Sequence, residues 1–145
     1  HHALYLENLA RYDLQLQKLD RDIRGAIAAI PLEKRKIVTT HDAFGYFEKA
    51  YGLTMVAPLG IGSEAQPAAK DLARIIRQIR SEAIPAIFLE TAIDPRLAEQ
   101  LAAETGVKIG GTLYADTLSQ KNGPAGTYIT MMETNIRTLT AALAP

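Results

Sequence analysis

Apolar residues in this chain follow two periods that alternate along its length. Leu9, Tyr12, Leu16, Leu19, Ile23, Ile27 and Ile30 fall three and four positions apart, one stripe of a long helix that ends before Pro31. Lys36-Ile-Val-Thr-Thr40 is short, β-branched and apolar in its middle, which reads as a buried strand. Asp42 to Ala50 reads as a short helix with Ala43, Phe44 and Phe47 facing inward, closed by Gly52 as a left-handed cap. Thr54 to Leu59 is a second strand, followed by a Gly60-Ile-Gly62-Ser63 loop. Pro67, at a first helical position, then opens a helix carrying Leu72, Ile75, Ile76 and Ile79. Ala86 to Leu89 is a third strand. Asp94-Pro95 caps a helix with Leu97 and Leu101 inward and Gly106 at its end, and Val107 to Ile109 is a fourth strand. Gly110 and Gly111 lead into Thr112 to Ser119, a loop or short edge strand. A glycine- and proline-containing loop at 123–126 precedes a last helix from Thr127 to Leu143.

Short strands that are apolar throughout, separated by helices, predict an α/β fold: a small parallel sheet of about four strands flanked by helices and preceded by the long helix. A chain of 145 residues, 48% hydrophobic and 22% charged, is long enough for one domain with a core. Sixteen basic residues balance sixteen acidic ones without blocks of like charge, so the chain carries no electrostatic footprint for nucleic acid or an anionic membrane. Cysteine is absent, which removes disulfides and thiolate metal sites but leaves the compartment open. No apolar run reaches the roughly 18 residues that span a bilayer, and no signal-peptide pattern is present. His1 and His2, set directly before a helical pattern, read as a processed or engineered start and are left out of functional reasoning; a native terminal metal-binding pair is the other reading.

Open parallel sheets gather their sites at the carboxyl ends of the strands. His41 follows the first strand, Glu90 the third, and Asp116 lies just past the fourth, so three side chains able to bind a divalent cation are expected at one sheet edge. Imidazole and carboxylate suit zinc, manganese or iron(II). Each residue also has a plainer role open to it. His41 or Asp42 can cap the following helix, Glu90 can accept hydrogen bonds from loop amides ahead of Asp94, and Asp116 can be an Asx-turn residue.

Thr40-His-Asp-Ala-Phe-Gly-Tyr-Phe-Glu-Lys-Ala-Tyr-Gly-Leu53 resembles the diagnostic segment of the metal-binding extracytoplasmic solute-binding proteins of ABC importers, the zinc and manganese receptors. The resemblance continues through Ser63-Glu-Ala-Gln-Pro67, Ala86-Ile-Phe-Leu-Glu90 and Gly111-Thr-Leu-Tyr-Ala-Asp116. In that family, one of whose branches is named for cell adhesion, one metal sits between two α/β lobes joined by a long helix, with two ligands from each lobe. The resemblance implies that residues 1–31 are the end of the interlobe helix and 32–145 the C-terminal lobe. It implies His41 and Asp116 as metal ligands, with Glu90 as support behind them, Asp42 as a helix cap and Tyr114 as packing. The cargo it implies is Zn2+, with Mn2+ or Fe2+ as alternatives, handed to a membrane ABC permease from the periplasm or from a membrane anchor. The N-terminal lobe and its histidines have no counterpart here, so the chain is expected to carry half of a site. The apolar stripe of the first helix, left partly bare, is expected to support self-association. Binding is expected to weaken toward low pH, because a ligating imidazole must be deprotonated.

Two other classes are weighed against this reading. A small α/β hydrolytic enzyme would use His41 as general base with Glu90 or Asp116 orienting it, but the chain has no Gly-x-Ser-x-Gly elbow, phosphate loop or cysteine. A response-regulator-like domain would need an acidic cluster after the first strand, and none is there.

Overall fold

A computed structural model of the chain describes residues 2–58 and 68–144. Its elements run in the order α1 (His2–Ala28), β1 (Lys36–Val38), α2 (Gly45–Tyr51), β2 (Thr54–Val56), α3 (Ala69–Ser81), β3 (Ala86–Glu90), α4 (Arg96–Thr105), β4 (Lys108–Leu113) and α5 (Tyr128–Leu143), with a 3-10 turn at Leu32–Lys34. The four strands form one sheet in the order β2-β1-β3-β4, every pair parallel. The fold is therefore the expected α/β layer structure. No described helix is long and apolar enough to cross a membrane.

Alternate residues of the central strands feed two cores. Ile37, Ala86, Phe88 and Leu113 pack with Leu19, Ile23 and Ile27 of α1 and Met132, Leu139 and Leu143 of α5. Val38 and Ile87 face the other way, onto Ile75 and Ile79 of α3 and Ala98 and Leu101 of α4. Strands covered on both faces have no polar face, which is why their sequences read as continuous apolar runs.

Several expected boundaries move. β1 ends at Val38, two residues short of Thr40, because the Thr40 amide leaves the ladder for a side-chain acceptor. α2 begins at Gly45, not Asp42. Its N-cap position is Phe44 without a side-chain cap, so Asp42 does not cap it, and Ala43 is exposed while Phe44 and Phe47 pack on the core. The backbone turns first, with Ala43 N–H donating to the His41 carbonyl. Gly52 and Gly106 end α2 and α4 in the expected left-handed conformation. β2 stops at Val56; Leu59, the loop at 60–63 and Pro67 lie outside the described residues. At α4 the Asp94 carboxylate accepts the Arg96 N–H at 3.0 Å, the capping bond expected of it, although Pro95 occupies the N-cap position.

The largest departure is β4, which runs on to Leu113 through Gly110 and Gly111. The β3–β4 register slips by one residue there, from Ile87 opposite Ile109 to Phe88 opposite Gly111, and Gly111 takes φ +132°. A Cβ at Gly110 would lie 2.6 Å from the Phe88 ring and 3.0 Å from Ala142 Cβ. The glycines thus continue the strand, and they let α5 lie directly against it.

The first helix divides into two stretches. Leu19, Ile23 and Ile27 are buried, whereas Leu4, Leu9 and Tyr12 are 55%, 64% and 45% exposed.

Candidate metal centre

Glu90 is the last residue of β3, the strand between β1 and β4, and its side chain is fully buried. A buried carboxylate needs donors. Oε1 accepts the backbone N–H groups of Thr40 at 2.6 Å and His41 at 3.0 Å, taking the place of strand partners just where the β1 ladder has ended. The same contacts fix the direction in which His41 leaves the sheet. Ahead of Asp94 it is the Glu90 backbone carbonyl, not the carboxylate, that accepts an amide, the Ile93 N–H at 3.4 Å.

The other oxygen, Oε2, lies 2.7 Å from His41 Nδ1. That contact is close but poorly directed, and it falls short of an aligned hydrogen bond. On the far side of the ring, Nε2 hydrogen-bonds Oδ2 of Asp116 at 3.0 Å. The imidazole, with 7% of its side chain exposed, thus sits between two carboxylates, one buried and one 73% exposed.

The three side chains expected at one edge are therefore together, but they do not face a common point. Glu90 stands behind the ring, and among the described residues no group of three or more His, Asp or Glu side chains is arranged around one ion position. What opens outward is a pair, Nε2 and the Asp116 carboxylate. The hydrogen bond to Asp116 needs a proton on Nε2; with that proton given up and the remaining one on Nδ1, toward Glu90, the Nε2 lone pair and the Asp116 oxygen become a pair of donor atoms for a divalent cation.

Asp116 reaches this place on the segment after β4. The Tyr114 N–H donates to Asn135 Oδ1 at 2.8 Å, and Asn135 Nδ2 donates to the Tyr114 carbonyl at 2.7 Å. Thr91 N–H donates to the Leu113 carbonyl at 2.9 Å, tying the end of β4 to the residue after Glu90. Sequence reasoning passes over Asn135. Its signal is a polar residue between Met132 and Leu139 on the apolar stripe of α5, and a polar group at such a position has to be bonded.

A cavity of about 310 Å³ lies beside the pair rather than at it. Phe44, Phe47, Tyr51, Met131 and Tyr114 contribute to its wall, while His41 and Asp116 do not line it.

Comparison with known proteins places this geometry in context. A family model described as the periplasmic zinc-uptake complex component A matches residues 1–142. The zinc-binding protein TroA of Treponema pallidum is 36% identical over 97% of this chain and 47% of its own length. The iron-binding protein YfeA of Yersinia pestis is 35% identical over 96% and 45%, and the manganese-binding lipoprotein MntA of Bacillus subtilis 34% over 99% and 48%. The solved structure of the T. pallidum periplasmic zinc-binding protein superposes with a TM-score of 0.92 at 35% identity, covering 97% of this chain and 53% of that one. The chain spans about half the length of these relatives. With its fold, its residues 1–142 and its relatives in agreement, the chain belongs to the ZnuA family, whose model describes the periplasmic component A of zinc-uptake complexes.

Proposed function

We propose that this chain is the metal-capturing C-terminal lobe, residues 32–145, of an ABC-importer receptor, preceded in residues 1–31 by the end of the interlobe helix. His41 Nε2 and the Asp116 carboxylate bind the cargo, and Glu90 holds the ring. The observation that carries this reading is the ring's placement: Nδ1 is 2.7 Å from a buried carboxylate and Nε2 is 3.0 Å from an exposed one. A carboxylate behind a histidine is how metal-ligating imidazoles are commonly oriented and made more basic. A tetrahedral zinc with bonds of about 2.0–2.1 Å separates its ligands by about 3.3 Å, a few tenths more than the present gap, which the exposed Asp116 can supply.

Zinc is the favoured cargo, with manganese and iron(II) as alternatives that the names of MntA and YfeA bring in. Two protein ligands leave the ion to be completed by water or by the N-terminal lobe. The loaded receptor works outside the cytoplasmic membrane, periplasmic or lipid-anchored, and delivers the ion to its permease without breaking any bond. The exposed stretch of α1 is the surface available to the other lobe or, in the isolated chain, to a second copy. Hydrolysis fits less well, because the Nε2 hydrogen bond goes to a carboxylate and not to a hydroxyl nucleophile.

The test is calorimetric titration of zinc and manganese into the chain lacking His1 and His2, with His41→Ala and Asp116→Ala alongside. Binding weakened by both substitutions supports the half-site. Binding that neither substitution changes would refute it.

A further inference from the structure

We infer that Asn135 is a positioning residue for Asp116, acting through the backbone of Tyr114; the inference rests on the reading of His41 and Asp116 as the ligand pair. Asp116 is 73% exposed, and its only side-chain hydrogen bond among the described residues goes to His41. Its place therefore depends on the main chain that carries it.

That main chain is held at both ends. Upstream, β4 is an edge strand, paired to β3 on one side only, and its ladder ends at Leu113. In an extended residue the N–H and C=O point to the same side, so one primary amide can bond both, as a neighbouring strand residue would. Asn135, a residue 4% exposed, does this at Tyr114 with bonds of 2.8 and 2.7 Å. Downstream, Ser119 N–H donates to the Ala125 carbonyl and Ser119 Oγ accepts the Ala125 N–H, both at 3.0 Å. Between these points Thr117 Oγ1 meets Thr91 Oγ1 at 3.3 Å. Asp116 thus rides on a short span with fixed ends.

Asn135 reaches Tyr114 because α5 lies against β4. A Cβ at Gly111 would come within 2.7 Å of Thr138 Cγ2, and one at Gly110 within 3.0 Å of Ala142 Cβ. Thr138 and Ala142 follow Asn135 at helical spacing, so the face that seats the helix on the glycines is the face that carries the amide. An aspartate keeps an acceptor for the Tyr114 N–H but has no donor for its carbonyl. An alanine would leave the Tyr114 amide and carbonyl without these partners, and binding would then have to order the segment itself.

The experiment is a zinc titration of the wild-type chain, Asn135→Ala and Leu143→Ala, with His41→Ala and Asp116→Ala as references and all measured where each is folded. Leu143 is fully buried on the same helix, eight residues beyond Asn135 in sequence, and carries no polar group to bond Tyr114, so its truncation reports the effect of weakened packing. Expected is a loss of zinc affinity of about 10-fold or more in Asn135→Ala, affinity near wild type in Leu143→Ala, and faster backbone amide exchange confined to residues 114–117. Should Asn135→Ala not fold, Asn135→Asp takes its place with the same expectation. Asn135→Ala binding like wild type while the two reference variants bind weakly would overturn the inference and leave the ligand pair standing. Equal losses in Asn135→Ala and Leu143→Ala would overturn it as well. Reference variants that bind like wild type would instead remove the ligand pair, and the inference with it.

Discussion

His41 and Asp116 come within 3.0 Å of each other from opposite surroundings. His41 is buried at the end of a central strand, its backbone N–H on one oxygen of Glu90 and its ring beside the other. Asp116 is exposed on a segment past an edge strand and is placed by the backbone. One member of the pair is therefore built into the core, and the other is held at its rim. The difference suits capture of an ion: a rigid donor sets the position, and an adaptable one closes the small remaining distance. On the proposed ligand roles it would also separate stability from binding, the buried member contributing to both and the exposed one to binding alone.

The sharpest way to break this comparison is at Glu90. Glu90→Ala strips two buried amides of their acceptor and removes the carboxylate beside the imidazole, and should cost at least about 3 kcal/mol in chemical denaturation. Asp116→Ala should give no resolvable change in the same measurement. Equal effects would mean that the two residues are not distinguished as described. Glu90→Gln keeps the shape and one acceptor oxygen but loses the charge behind the ring, so most of the stability should remain while zinc affinity falls by about 10-fold to 100-fold.

A smaller effect is expected at the strand that carries the rim. Gly110→Ala places a methyl group 2.6 Å from Phe88 and 3.0 Å from Ala142, and should cost about 1–3 kcal/mol by overpacking. A neutral result in thermal unfolding would show that α5 can shift away from β4 at no cost, and with it the amide of Asn135.

The smallest effect is electrostatic and lies away from the pair. Arg96 beside Asp94, first by side-chain hydrogen bonds and then by its backbone N–H, holds that carboxyl down to about 2 from an ordinary 3.8. A carboxyl lowered on folding contributes stability above its unfolded pKa and loses it as pH falls through the folded one. The melting temperature of wild type should therefore exceed that of Asp94→Ala slightly at neutral pH, and the gap should close between about pH 4 and about pH 2. A gap that persisted at pH 2 would mean the residue acts without its charge.

Much of this architecture is legible in the residues. Ile37, Val38, Ile87 and Phe88 are apolar without alternation because both sheet faces are covered, and that pattern together with the helices between the strands points to a parallel α/β sheet. The strand-end rule brings His41, Glu90 and Asp116 to one edge, while the ligand and support roles come from the family resemblance. The start of α2 is not legible, because Asp42 resembles a cap and the turn at Ala43 is decided by His41 being drawn to Glu90. The length of β4 is hidden as well. Gly110 and Gly111 read locally as chain breakers, and only the nearness of Phe88, Thr138 and Ala142 explains why a strand uses them. The exposure of Leu4, Leu9 and Tyr12 is a further case, since a periodic stripe shows which side of a helix is apolar but not what covers it.

The chain contains three histidines, two of them at positions 1 and 2, so removing those leaves His41 as the sole imidazole. Zinc K-edge absorption on the zinc-loaded chain without His1 and His2 therefore tests the central claim directly. The account predicts one imidazole and otherwise oxygen at about 2.0–2.2 Å, with the imidazole signal gone in His41→Ala. An all-oxygen shell in the wild-type chain would contradict it.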